Sequence, residues 1–248
     1  RGGYDVVRYD AATTGVNVNL ATGIAQDGQG ATDTVVGTEE IRGTAYNDTL
    51  TGGNPQGGVT IDDGLTELFR GNGGNDIIDG GAGFDRVYYD SSTSGVNVTL
   101  GGTGVGTAQD GLGGTDTLMN IEAVLGSSYN DTLTGSDSGA FESFEGGAGN
   151  DTIDGKGGVD RVDFRRLATS GVKVDLASGK ASNDGQGGVD TLLNIEDVRG
   201  SAFNDVILGD DQGNKLDGYL GNDSLSGGDG DDTLVAGAGS DTLDGGNG

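Results

Sequence analysis

The residues of this chain best suited to chemistry are aspartates, and they recur on a fixed beat. From Gly200 to Asp244 a nine-residue frame restarts at residues 200, 209, 218, 227 and 236. Its sixth positions are Asp205, Asn214, Asp223, Asp232 and Asp241, and its eighth positions are Ile207, Leu216, Leu225, Leu234 and Leu243. Carboxylates set at intervals among glycines offer oxygen ligands to a hard divalent cation. Composition closes off most other chemistry. The chain has no His, Cys or Trp, which excludes thiolate reactions, zinc held by nitrogen and sulfur, and a Ser-His-Asp triad. Its 40 acidic residues against 13 basic ones leave a net charge of −27. Such a surface repels nucleic acid and anionic membranes, and no apolar run is long enough for membrane insertion as a helix.

The elements that must position these aspartates follow from the same beat. With 54 glycines and only 32% hydrophobic residues, an aperiodic chain would be disordered, whereas a periodic one reads as a repeat protein. Six residues of each unit form a turn and three form a short strand. Glycine at positions one, two and four is expected to supply positive φ. The middle strand residue points inward, so Leu225 and Leu243 should share an aliphatic column. Two units make one coil, which stacks Asp205, Asp223 and Asp241 about 4.8 Å apart. Neighbouring carboxylates at that spacing repel by roughly 3 kcal/mol at an effective dielectric near 20. A cation between them removes the repulsion, and calcium suits the site better than magnesium, which demands a stricter octahedron.

A longer repeat occurs three times, opening at Tyr4-Asp5, Phe84-Asp85 and Val159-Asp160. Each copy runs into an alternating strand (Gly15 to Leu20, Gly95 to Leu100, Gly171 to Leu176), then a glycine turn ending in Asp33, Asp116 or Asp190. The fold expected is all-β, a right-handed parallel β-roll or β-helix solenoid of nonapeptide repeats carrying three longer β-helical modules. The stretches are 1–53, 89–136 and 164–199 for the irregular modules, 54–88 and 137–163 for nonapeptide turns between them, and 200–248 for the regular roll.

The frame resembles the repeats-in-toxin (RTX, haemolysin-type) calcium-binding nonapeptide GGxGxDxUx, tightly at 71–88, 146–163 and 200–248. The resemblance implies that one turn contributes the carbonyls of positions two and four with its Asp, and the turn one coil later those of positions one and three with its Asp. Tyr219, Gly221 and Asp223 then join Ala236, Ala238 and Asp241. Likewise Asp210, Gln212 and Asn214 join Gly227, Asp229 and Asp232, and Ser201, Phe203 and Asp205 join Gly218, Leu220 and Asp223. Glu67 pairs with Asp85 beside Gly80 and Ala82, and Glu142 with Asp160 beside Gly155 and Gly157. Asp76 and Asp151 are further ligand candidates, and Asp33, Asp116 and Asp190 are candidates within the modules. Glu67 and Glu142 are longer than the pattern asks and should crowd their cages. Asn214 lacks a charge, and Tyr46, Tyr129 and Phe203 stand where glycine is usual, which should weaken those turns. The recurring Tyr9, Tyr89 and Phe164 read as packing residues rather than a sugar platform, and Glu122 and Glu196 as either ligands or exposed side chains.

The resemblance further implies several bound Ca²⁺ ions, type I secretion, and an extracellular or cell-surface setting, with no catalysis by this stretch itself. Both ends fall inside repeats, which suggests a segment of a longer array whose partner domains lie elsewhere. Two other readings share these features: a calcium-stiffened stalk of an adhesin or surface-layer protein, and part of a β-helical polysaccharide-modifying enzyme.

Overall fold

The computed structural model describes residues 3–53 and 67–248, so Thr66 and the residues from 54 up to it, at the start of the first nonapeptide stretch, lie outside the description. Every regular element among the described residues is a strand, most of only three residues. Two compact units divide the chain, residues 1–127 and 128–248.

Each unit is a flattened coil in which the chain alternates between two sheets. In the second unit the regular array shows the rule at its simplest. Val206–Leu208, Ser224–Ser226 and Thr242–Asp244 pair in parallel on one side, and Lys215–Asp217 and Thr233–Val235 pair in parallel on the other. The partner of each residue lies one coil, or 18 positions, further along, as in the bond from the Asp205 amide to Asp223. A triplet places only its middle side chain inward, so the core is two facing columns. One runs through Val174, Ile207 and Leu225, the other through Val162, Val198 and Leu216, and all six are buried. Leu243 stays in register with Leu225 but is 47% exposed in the last described coil. The first unit repeats the pattern with Val18, Leu50, Ile78 and Leu118 opposite Ile41, Phe69, Val87 and Val124. Each such side chain contributes about 1.5–3 kcal/mol on burial, but a coil this narrow holds few of them.

The three long modules depart from a plain solenoid. Each inserts an antiparallel meander into one sheet: Asn17–Asn19, Ile24–Gln26 and Thr32–Thr34 in the first, Asn97–Thr99, Val105–Gln109 and Thr115–Met119 in the second. Lys173–Asp175, Lys180–Asn183 and Asp190–Leu193 form the third. In the second module the meander's last strand lies parallel to Ile77–Asp79, one coil back. The chain therefore leaps forward on leaving the opposite sheet and fills in backwards. Its hairpin loops turn on glycines at positive φ, Gly23 and Gly28, Gly111 and Gly113, and Gly179 and Gly185. Tyr89 and Phe164 are buried beneath these modules and Tyr9 is half-buried, the packing role their recurrence suggested.

Candidate metal centres

Two different physical demands place glycine in the turns. Positions two and four do adopt positive φ, as at Gly228 (107°) and Gly230 (112°), and non-glycine residues at position two adopt it as well, at Asn72, Lys156 and Tyr219. Position one does not, which corrects the expectation from sequence. There the constraint is space. A β-carbon on Gly218 would lie 2.4 Å from Asp223 Oδ2 and 2.8 Å from the Ala236 carbonyl oxygen, and one on Gly227 would lie 2.2 Å from Asp232 Oδ2. The position-one glycine is the floor of a cradle whose walls are a carboxylate oxygen and a carbonyl from the next coil.

The stacked acids form hydrogen-bonded ladders. Each carboxylate spends one oxygen on the backbone amide of the acid one coil back: Asp223 Oδ1 accepts from the Asp205 amide at 2.9 Å, Asp241 Oδ1 from Asp223 at 2.9 Å, and Asp232 Oδ1 from Asn214 at 2.8 Å. Asp85 and Asp160 accept in the same way from the amides of Glu67 and Glu142. The ladders extend through the modules, where Asp76 accepts from Asp48, Asp116 from Asp76, Asp151 from Asp131 and Asp190 from Asp151. Glu122 and Glu196 prove to be rungs too, since their Oε2 atoms accept from the amides of Asp85 and Asp160. Asp33, by contrast, is exposed and receives the Tyr9 hydroxyl.

The second oxygen decides what the turn can bind. Oδ2 of Asp76, Asp151, Asp160, Asp223 and Asp232, and Oε2 of Glu67, are buried without a hydrogen-bond partner among the described residues. A buried, unpartnered anionic oxygen is costly, and the carboxyls respond. Burial, reinforced by neighbouring carboxylates, pushes Asp76 and Asp151 up to about 8, Asp160 to about 7 and Asp223 to about 6. No three acidic side chains gather round one point among the described residues; each cradle combines carboxylate with carbonyl oxygen, the donor set of a hard cation.

The structure brings together most members of the expected groups, in unequal roles. The carbonyls of Ala236, Gly227 and Gly218 sit over the position-one glycines of the turns below. Those of Gly221 and Gln212 rise beneath position four of the next turn, 1.5 and 2.6 Å from where a β-carbon on Gly239 or Gly230 would stand. The carbonyls of Tyr219, Ala238 and Asp210 already accept amides from the stacked turn, leaving one lone pair each. Asp229 enters that stacking through its amide, and Asn214 turns its Oδ1 to the Asp210 amide while its buried Nδ2 has no hydrogen-bond partner among the described residues. Over the position-one glycine Gly209, where neighbouring turns hold a bare Oδ2, Asn214 thus places an uncharged Oδ1 that the Asp210 amide already satisfies.

A second class of turn is closed without any cation. Ser201 donates its amide to Asp205 Oδ2 at 2.6 Å and its hydroxyl to Oδ1 at 2.7 Å, and Val172 adds its amide to Oδ1. Thr44 closes on Asp48 in the same manner, and Ser136 on Glu142. None of these three residues has positive φ. In the grouping of Ser201, Phe203 and Asp205, protein donors already reach both carboxylate oxygens, unlike the bare Oδ2 of Asp223. The aromatic residue is not the cause, because Tyr46 and Phe203 point outward and are exposed. Nor does Glu142 crowd a cage; its extra methylene lets it reach back to Ser136. The sequence signal for such closure is Gly-Ser or Gly-Thr at positions one and two, as at Gly43-Thr44, Gly135-Ser136 and Gly200-Ser201. Ser201→Ala is expected to destabilise the calcium-saturated chain by about 1–3 kcal/mol, as read from urea denaturation, and to leave the number of calcium ions bound unchanged.

Comparison with known families gives one match. The model described as RTX calcium-binding nonapeptide repeat (4 copies) covers residues 33–54, 66–91, 139–165, 194–225 and 217–248, together just over half of the chain. No curated protein matches it.

Proposed function

The chain belongs to the family of RTX calcium-binding nonapeptide repeats, and from that footing we propose that it is a structural module whose folding is completed by several calcium ions. The observation that carries the reading is the ladder with one bare oxygen per open turn. Asp223 and Asp232 each commit Oδ1 to the backbone and hold a buried Oδ2 with no hydrogen-bond partner among the described residues. The residues that would hold calcium are Asp223 and Asp241 with the carbonyls of Ala236, Gly221 and Tyr219, and Asp232 with those of Gly227 and Gln212. Asp160 with Gly155 and Gly157, and Asp85 with Glu67, Gly80 and Ala82, are the corresponding sites elsewhere. Calcium supplies the positive charge and the coordination that these oxygens lack.

Extracellular modules bind calcium at roughly 10⁻⁴–10⁻³ M. A chain with that affinity stays unfolded where calcium is scarce and folds once outside the cell, which suits export as an unfolded passenger. The role follows as a carrier or spacer segment of a larger secreted protein, without catalysis of its own. The test is calcium titrated into the metal-free chain and followed by circular dichroism. Replacing Asp223 and Asp241 together by Ala is expected to raise the calcium midpoint roughly tenfold, equivalent to about 1.4 kcal/mol. An unchanged midpoint would remove these two residues from the ligand set.

A further inference from the structure

The meanders carry acids that belong to no nonapeptide, Asp110 in the second module and Asp184 in the third, both outside the matched segments. Each is fully buried. Asp110 Oδ1 accepts the amides of Leu112, Gly113 and Gly114 at 2.8–2.9 Å, capping the hairpin loop. Asp184 Oδ1 does the same for Gln186, Gly187 and Gly188. Three amides fix each carboxylate rigidly, and its other oxygen, Oδ2, has no hydrogen-bond partner among the described residues.

These second oxygens are aimed at a place already prepared from below. A β-carbon on Gly114 would lie 1.7 Å from the Gly74 carbonyl oxygen and 2.8 Å from Asp110 Oδ2; one on Gly188 would lie 1.6 Å from the Gly149 carbonyl and 2.6 Å from Asp184 Oδ2. The hairpin carboxylate and the carbonyl of the underlying turn thus face one another across a gap that only glycine leaves open. The turn below ends in Asp76 or Asp151, each with its own bare buried Oδ2. The hairpin charge is among the causes that raise those two carboxyls. Asp116, which sequence spacing singled out, is less available: its Oδ1 takes the Asp76 amide and its Oδ2 the Tyr89 hydroxyl.

We propose that Asp110 with Asp76 and the Gly74 carbonyl, and Asp184 with Asp151 and the Gly149 carbonyl, form two calcium sites in which a hairpin carboxylate supplements the ligands of the repeat. The proposal rests on the calcium reading of the repeats and adds ligands that the nonapeptide pattern does not contain. A turn in the regular roll receives carbonyls from the coil above, whereas here it receives the free oxygen of a carboxylate whose other oxygen is held by three amides. Ligand charge and rigidity both tighten calcium sites, so these two should fill first and pin the meanders to the roll.

The experiment is calorimetric titration of Ca²⁺ into the metal-free full chain, with ions counted by native mass spectrometry, for the wild type, D110N/D184N and D223N/D241N. Asn keeps the Oδ1 that caps each loop and replaces only the outward oxygen. D110N/D184N is expected to lose the two tightest equivalents, each weakened at least tenfold, and to keep the weaker ones. D223N/D241N should keep the tight pair and lose affinity in the weaker class. Should the double variant fail to regain its strand spectrum in saturating calcium, D110N and D184N are titrated singly, each expected to lose one tight equivalent. If either hairpin variant titrates like the wild type while D223N/D241N does not, the hairpin sites are refuted and the repeat sites stand. If the wild type takes up no calcium, the reading beneath both fails.

Discussion

Chelation of calcium at neutral pH is expected to abolish the strand spectrum of this chain, and return of calcium in excess to restore it. The metal-free fold would have to bury a row of carboxyl oxygens, charged or protonated at a cost, that no donor among the described residues reaches, at Asp76, Asp151, Asp160, Asp223 and Asp232. Their stacked repulsion, roughly 3 kcal/mol per adjacent pair, adds to a net charge of −27. Against this stand two thin aliphatic columns and the short ladders between triplet strands. Gly loses more backbone freedom on folding than any other residue, and the chain has 54 of them. A ligand that binds only the folded form shifts this balance in proportion to the logarithm of its concentration, and with several sites the transition should be steep. Far-UV circular dichroism before and after EDTA is the measurement. A strand spectrum indifferent to EDTA would mean that hydroxyl-closed turns such as Ser201–Asp205 and Thr44–Asp48 suffice to hold the coil.

Those closed turns mark the limit of what spacing alone conveys. The frame of nine predicts which acids stack, and the 18-residue ladder from Asp205 through Asp223 to Asp241 follows it. Pattern also identified the inward residues, because a three-residue strand has only one inward position and Ile207, Leu216 and Leu225 occupy it. Whether a stacked acid is open or satisfied depends instead on its own second-position neighbour. Ser201 turns its amide and hydroxyl onto Asp205, whereas Tyr219, at φ 67°, leaves Asp223 Oδ2 bare. The difference is one hydroxyl and one peptide orientation, and the sixth-position aspartate reads the same in both.

The meanders were hidden for a related reason. Asp27-Gly28, Asp110-Gly111 and Asp184-Gly185 are strong hairpin signals, yet within a glycine-rich repeat they merge with the calcium turns around them. Reading Gly95 to Asp116 as one strand and one turn leaves Asp110 in solvent. The structure folds that stretch into three strands and buries it. The position-one glycines are legible in the sequence, but their cause is the close approach of Asp223 Oδ2 or Asp232 Oδ2 rather than left-handed backbone.

Acid should do to the metal-free chain part of what calcium does. In the folded state the carboxyls of Asp76 and Asp151 are pushed up to about 8, and those of Asp160 and Asp190 to about 7, in each case chiefly by burial. Unfolded, they titrate near 3.9. Between those limits the folded chain binds more protons than the unfolded one, so the fold gains stability as pH falls. The contribution is complete below about pH 4 and is lost as pH rises through about 7 to 8. Asp27, held low by the amides of Gln29 and Ala31, changes charge only below this window and does not offset it. In EDTA, therefore, strand content should rise between pH 8.5 and about 4.5. In calcium the sign reverses, since the ion needs the charged carboxylates and its midpoint should climb as pH drops below about 7. Paired dichroism series, one in EDTA and one across calcium concentrations at pH 8 and 5.5, measure both slopes. Strand content that stays flat or falls on acidifying the EDTA series would show that the metal-free chain gains no folding from protonating these carboxyls. The reversal itself comes from one arrangement: an oxygen buried beside others of its charge accepts either a proton or a calcium ion, and the two compete.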